Sequence, residues 1–263
     1  MTTLPPHSLS FEVLKKPRGL LRALQWIFAL LAFATCSHYS TTLTLTIQCH
    51  DPKTLEPAPI TQYISYPFRL DQYPPVKFAY WCNKTDVAED GTSAYDIHFP
   101  GNFSSDAEFF VFTGVISWLF CFLSLAVYIY YNSLYEDEQK NYPKVDFLFS
   151  AVLAMVWLAG SAAWANGLNG LKSVCSDIGQ HMQICLTEEV GVSNCPSSCS
   201  QFSEANISVL LGFLNCFLWS SNLWFLYKDT NWFTGENQAQ GAASVESGHQ
   251  EPSPFQPPTV GSY

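Results

Sequence analysis

Apolar residues in this chain are gathered into four long runs, and the segments between them are polar. The first run is Ala23 to about Leu43, the second Ala107 to Tyr131, the third Phe147 to about Leu168 and the fourth Ile207 to Tyr227. About 20 mostly apolar residues in helical form cross a hydrocarbon core of roughly 30 Å. Lipid supplies no hydrogen-bond partners, so such stretches satisfy their backbone internally as helices. Four transmembrane helices are predicted, with Trp26, Tyr39, Tyr128, Tyr130, Tyr131, Trp164, Trp224 and Tyr227 near their ends, where interfacial anchors belong.

The connections carry their own pattern. Residues 44–106 form a long loop in which Leu43, Leu45 and Ile47 alternate with threonine, the period of a strand. Segments Val76–Cys82 and Ser93–Phe99 read as further short strands. Residues 169–206 form a second loop on the same side, poor in apolar residues and expected to depend on disulfides for order. The link between spans two and three is short, which predicts antiparallel neighbours. Residues 1–22 form an N-terminal segment. Residues 229–263 are rich in Gln, Gly, Ser and Pro with no Lys or Arg, the composition of a disordered tail.

Composition sharpens this picture. Charged residues make up 13% of the 263 residues, against roughly 25% in soluble domains. Mean hydropathy is only +0.07, so the apolar content is concentrated in the runs. Lys15, Lys16, Arg18, Arg22, Lys140, Lys144 and Lys228 lie on the side of the termini. Lys53, Arg69, Lys77, Lys84 and Lys172 lie on the other, mostly within a loop too long to set orientation strongly. The bias favours cytoplasmic termini. The four basic residues ahead of the first run, with Ala32-Phe33-Ala34 inside it, also permit a cleaved signal peptide.

Six of nine cysteines, Cys49, Cys82, Cys175, Cys185, Cys195 and Cys199, fall in the two loops opposite the termini, as disulfides in an oxidising lumen would. They allow 15 connectivities. The economical set pairs Cys49 with Cys82, Cys175 with Cys185 and Cys195 with Cys199. The Cys195–Cys199 spacing could suit a metal, but no second close ligand pair accompanies it. Asn83 and Asn102 open glycosylation triplets in the first loop, and Asn206 opens one against span four. Both loops are net acidic, in keeping with a solvated face.

The spans offer little chemistry. Glu108 and Asp146 sit at span mouths and His38 near the end of span one. Asn166, Asn215 and Asn222 are expected to bond across helices, and Gly160 to Ala163 to permit close helix packing. No nucleophile–base set, phosphate loop or paired carboxylates appears, so neither an enzyme nor a cofactor is expected.

Several segments in order resemble the physin family: Leu24–Cys36, Tyr66–Leu70 (YPFRL), Ser104–Val111, Trp157–Leu168 and Ala205–Thr230. The chain is most similar to its short-tailed, synaptophysin-like branch of mitsugumin and pantophysin type. The resemblance runs from about residue 11 to 232. It implies an all-α membrane protein, a four-helix bundle of MARVEL type over residues 23–228 with a small disulfide-pinned luminal β-structure. It implies an integral multi-pass protein of synaptic or other transport vesicles with both termini cytoplasmic. It further implies association with a synaptobrevin-type SNARE and cholesterol, homo-oligomers, a retained first span, and pairs Cys49–Cys82 and Cys175–Cys185. No nucleic-acid partner is implied. Cys195 and Cys199, and Ser37-His38 where glycines are usual, depart from the family pattern. The competing readings are an oligomeric channel with Asn215 and Asn222 lining a pore between protomers, and a junctional adhesion protein acting through its luminal loops.

Overall fold

The computed structural model describes residue 15 and residues 17–49, 59–79, 94–130, 142–181 and 192–229. Cys82, Asn83, Cys185 and the tail beyond 229 lie outside the described residues. Four helices dominate: α1 (Pro17–His38), α2 (Ser104–Tyr130), α3 (Tyr142–His181) and α4 (Ser203–Asp229). Each contains a stretch long and apolar enough to cross a membrane. Their starts follow local chemistry. Pro17 opens α1, where its fixed φ suits a first helical position and its missing N–H costs nothing. The Asn102 carboxamide oxygen accepts the Ser104 N–H at 3.1 Å and caps α2. Asp106 and Glu204 lie in the first turns of α2 and α4, where the helix dipole favours acid.

The helices pack in a ring. α1 lies against α2 and α4, and α3 lies against the same two, so α1 and α3 face each other across the diagonal. Large apolar side chains cover the outside: Leu31 on α1, Phe112 and Leu123 on α2, Leu148 and Met155 on α3, Leu210 and Phe217 on α4. Surface of this kind is stable only against lipid or another apolar body. Inside, Trp157, Trp164, Trp219 and Phe110 are fully buried. Gly212 shows how tightly the helices approach. A β-carbon there would collide with Ser161 of α3 and Phe110 of α2, so three helices meet at this glycine.

At the end opposite Pro17 and Asp229 the helices carry a small β-structure. The central strand β1 (Ser40–Leu45) pairs antiparallel with β3 (Ile60–Ser65) and with β7 (Ser197–Cys199). Its alternation buries Thr41, Leu43 and Leu45. Strand β2 (Gln48–Cys49) pairs with β6 (Val192–Asn194), and β4 (Val76–Ala79) with β5 (Ala94–Ile97).

Two boundaries differ from the sequence expectation. The first span was expected to reach Leu43, but α1 stops at His38 and Ser40 enters β1. The β-branched, period-2 run Thr41-Thr42-Leu43-Thr44 prefers a half-buried strand, and the sheet supplies the partners. The third span was expected to end near Leu168, but α3 continues to His181. Its 40 residues make a rod of about 60 Å, twice a bilayer's hydrocarbon thickness. Leu171, Cys175 and Ile178 recur at helical spacing and are buried, and they hold the extension against the β-structure.

Candidate functional site: a polar node across the bundle

Arg22 stands about one and a half turns inside α1, with 0% of its surface exposed. Its Nη2 donates to Asp146 Oδ1 at 2.6 Å and to Ser150 Oγ at 3.2 Å, both on α3. Its Nη1 donates to Gln25 Oε1 at 3.0 Å. The Tyr128 hydroxyl of α2 donates to the other Asp146 oxygen at 2.6 Å. Gln25 Nε2 donates to the Leu218 carbonyl of α4 at 3.1 Å. Arg22 Nε meets no acceptor among the described residues. The guanidinium lies instead over the rings of Trp219 (4.9 Å) and Phe120 (5.3 Å), whose faces attract a cation.

This node touches all four helices, and its reach has a geometric reason. Neighbouring helices stand 8–10 Å apart, so helices across the diagonal of a ring of four stand roughly 13 Å apart. Only a long side chain closes that gap, and Arg adds a fork that satisfies a carboxylate and a hydroxyl together. Unpaired charge at this depth would be costly. Paired and hydrogen-bonded charge is tolerated, and it fixes which helix faces which.

The other end of the bundle is closed by rings. Phe68, from the YPFRL segment, is fully buried and stacks on Trp164 at 5.3 Å, with Tyr39 at 5.9 Å and Tyr66 edge-on at 6.2 Å. Phe68 adopts φ 66°, a left-handed backbone that non-glycine residues rarely take. Its N–H donates to the Ser65 carbonyl (2.9 Å), and its carbonyl accepts from Phe103 (3.1 Å), stitching the turn to the start of α2. Trp164 Nε1 donates to Ser208 Oγ at 2.8 Å. Burial raises the hydroxyl pKa values of Tyr39 and Tyr66. On the rim Arg69 meets Glu108 at 2.6 Å, with about two-fifths of each side chain exposed.

The predicted site residues separate into two groups. Cys175 is disulfide-bonded to Cys199, with Cα atoms 5.5 Å apart. The expected pairs Cys175–Cys185 and Cys195–Cys199 are therefore corrected. Pairing of β7 with β1 sets Cys199 opposite Leu43, and the α3 extension brings Cys175 up to meet it. Sequence proximity could not anticipate that register. Cys195 is also disulfide-bonded, and its carbonyl lies against Gly179 where any side chain would collide. Cys49 has its backbone in β2; its side chain lies outside the described residues, as do Cys82, Cys185 and Asn83. Cys36, Cys121 and Cys216 are free thiols. Asn102 is exposed, caps α2 and donates to Asp71 at 3.2 Å. Asn206 is exposed and accepts from Lys172 at 2.8 Å.

Asn215 and Asn222 point into the bundle, 0% and 1% exposed, so they do not face a neighbouring protomer as the pore reading required. Sequence reasoning also counted Arg22 among solvated flanking charges and Asp146 at a span mouth. The missed signal was Pro17. A helix opening there places Arg22 inside the span, with Gln25 three residues on along the same face.

A profile of the MARVEL family, described as a membrane-associating domain, matches residues 13–225, a range holding both closed ends and all of α1, α2 and α3 but for the last residues of α4. Four apolar helices ring a closed core, and the match spans most of the chain: this integral multi-pass membrane protein belongs to the MARVEL family.

Proposed function

We propose that the protein is a non-enzymatic organiser of vesicle membranes, working through its outer helical faces. The supporting observation is the contrast between a core closed at both ends and an outside of large exposed apolar side chains on every helix. A molecule built this way acts sideways, on lipids and on helices that pack against it. The physin resemblance narrows the partners to cholesterol, a synaptobrevin-type SNARE and further copies of the chain, in vesicle trafficking and exocytosis.

In this reading the termini are cytoplasmic and the β-structure luminal. The Cys175–Cys199 disulfide supports an oxidising compartment for the β-bearing end. Arg22 no longer counts as a flanking charge, but Lys15, Lys16 and Arg18 keep the basic bias on the side of the termini. Asn83 and Asn102 are the proposed glycan acceptors. Residues 23–228 act as the four-span unit and 229–263 as a cytoplasmic tail.

The test is crosslinking in native vesicle membranes, detergent extraction and identification of captured partners by mass spectrometry. Recovery of a synaptobrevin-type SNARE with bands of self-assembled chain is expected. Self-assembly without any SNARE would remove the SNARE role and leave lipid organisation alone.

A further inference from the structure

The middle of the bundle holds a second polar cluster, distinct from the Arg22 node. Ser117 on α2, Trp157 and Ser161 on α3 and Asn215 on α4 are all 0% exposed. Ser117 Oγ, Trp157 Nε1, Ser161 Oγ and Asn215 Oδ1 meet no hydrogen-bond partner among the described residues. Only the Asn215 amide nitrogen is engaged, donating to the Leu211 carbonyl of its own helix at 2.9 Å.

Contacts between the helices set Ser117, Trp157 and Asn215 at one level, with Ser161 one turn from it toward the β-structure. Gly160 of α3 approaches Thr113 of α2, one turn from Ser117, and Ser161 abuts Gly212 of α4, one turn from Asn215. Trp157 lies one turn before Ser161 on the same face. Phe33 abuts Gly114, which brings the fully buried Ala29 of α1 close to the height of Ser117. Ser117 and Asn215 are also the central residues of the stretches of α2 and α4 that are long and apolar enough to cross a membrane, so the level is the middle of those stretches.

Four polar atoms buried without a partner each lose their desolvation cost unless something in the interior bonds them. Their chemistry is complementary to one small ligand. Trp157 offers a donor, Asn215 Oδ1 an acceptor and each serine either. A buried water asks for two to four such partners. We propose that one or two waters are held at the bundle midplane by Ser117, Trp157, Ser161 and Asn215. The aromatic closure around Trp164 bounds this site toward the β-structure. Trp164 has its N–H engaged by Ser208 and offers water nothing.

Radiolytic hydroxyl labelling of the full chain in detergent or nanodiscs tests this, because a radical born from a bound water oxidises the ring beside it. Trp157 is expected to gain oxygen although it is fully buried. Trp164, equally buried, should not, and exposed Tyr63 on β3 serves as the positive control. Mixing into oxygen-18 water before irradiation should carry the heavy isotope into Trp157. Ser117→Ala and Asn215→Leu, singly and together, should cut Trp157 labelling several-fold and leave Tyr63 unchanged. Ser117→Ala removes a single atom and keeps the test open if Asn215→Leu does not fold. An unlabelled Trp157 overturns the proposal. So does equal labelling of Trp157 and Trp164, or labelling that persists in the folded variants.

Discussion

The two ends of the bundle solve the same sealing problem with opposite chemistry. At the end where α1 starts and α4 finishes a charged pair crosses the diagonal from Arg22 to Asp146, wrapped by Gln25, Ser150, Tyr128 and two rings. At the β-bearing end a hydrophobic plug, Phe68 on Trp164, closes the centre, and the charged pair Arg69–Glu108 is left on the rim. Where a loop can lower a ring onto the axis, packing suffices. Where the described residues are helical alone, a long polar side chain reaches across. Charge carries far more consequence at the first end, because a buried pair broken on one side strands its partner, whereas a rim pair exchanges readily for water.

The sharpest way to break the comparison is to remove one member of the buried pair. Arg22→Ala or Asp146→Ala should each cost about 3–5 kcal/mol, read as a large fall in thermal unfolding temperature in detergent. The double variant Arg22→Met with Asp146→Leu should recover most of that loss. If single and double variants behave alike, the node's cost is not electrostatic. Next in size is the plug. Phe68→Ala should cost about 3 kcal/mol or more by opening a cavity against Trp164, measured the same way, and a change below that range would mean the β-structure reseals without it. The disulfide comes third. Cys175→Ser should cost roughly 3 kcal/mol and abolish a mobility difference between oxidised and reduced chain attributable to this bond on gels. The smallest effect belongs to the rim, where Arg69→Ala should cost no more than about 1 kcal/mol, an effect that should shrink further in high salt. A loss at Arg69 as large as that at Arg22 would erase the distinction between the ends.

The same contrast marks what was legible from sequence. Spans two and four announced themselves, since α2 and α4 are apolar runs with polar caps and their length answers directly to the bilayer. The alternation of Leu43, Leu45 and Ile47 with threonine also read as strand, and β1 holds Leu43 and Leu45, although hydropathy carried the first span as far as Leu43. The ends of α1 and α3 were misjudged because tertiary partners decided them: the sheet claimed Ser40–Leu45, and the buried face of Leu171, Cys175 and Ile178 prolonged α3. The plug residue Phe68 stood inside a quoted motif, but nothing in YPFRL states that its ring turns inward. The Arg22–Asp146 pair joins residues 124 apart across a diagonal, and no local pattern encodes that. The cysteine pairing failed for the same reason, as the bond followed strand register and not spacing.

The length of α3 carries a mechanical consequence. Its 40 residues run without a break from the depth of Asp146 to the β-structure, where Cys175 is welded to Cys199. A stiff rod of about 60 Å is about twice the hydrocarbon thickness, so by length about half of it exceeds what the hydrocarbon takes up. A tilt of about 10° at the membrane would sweep its far end through about 5 Å for a free length near 30 Å.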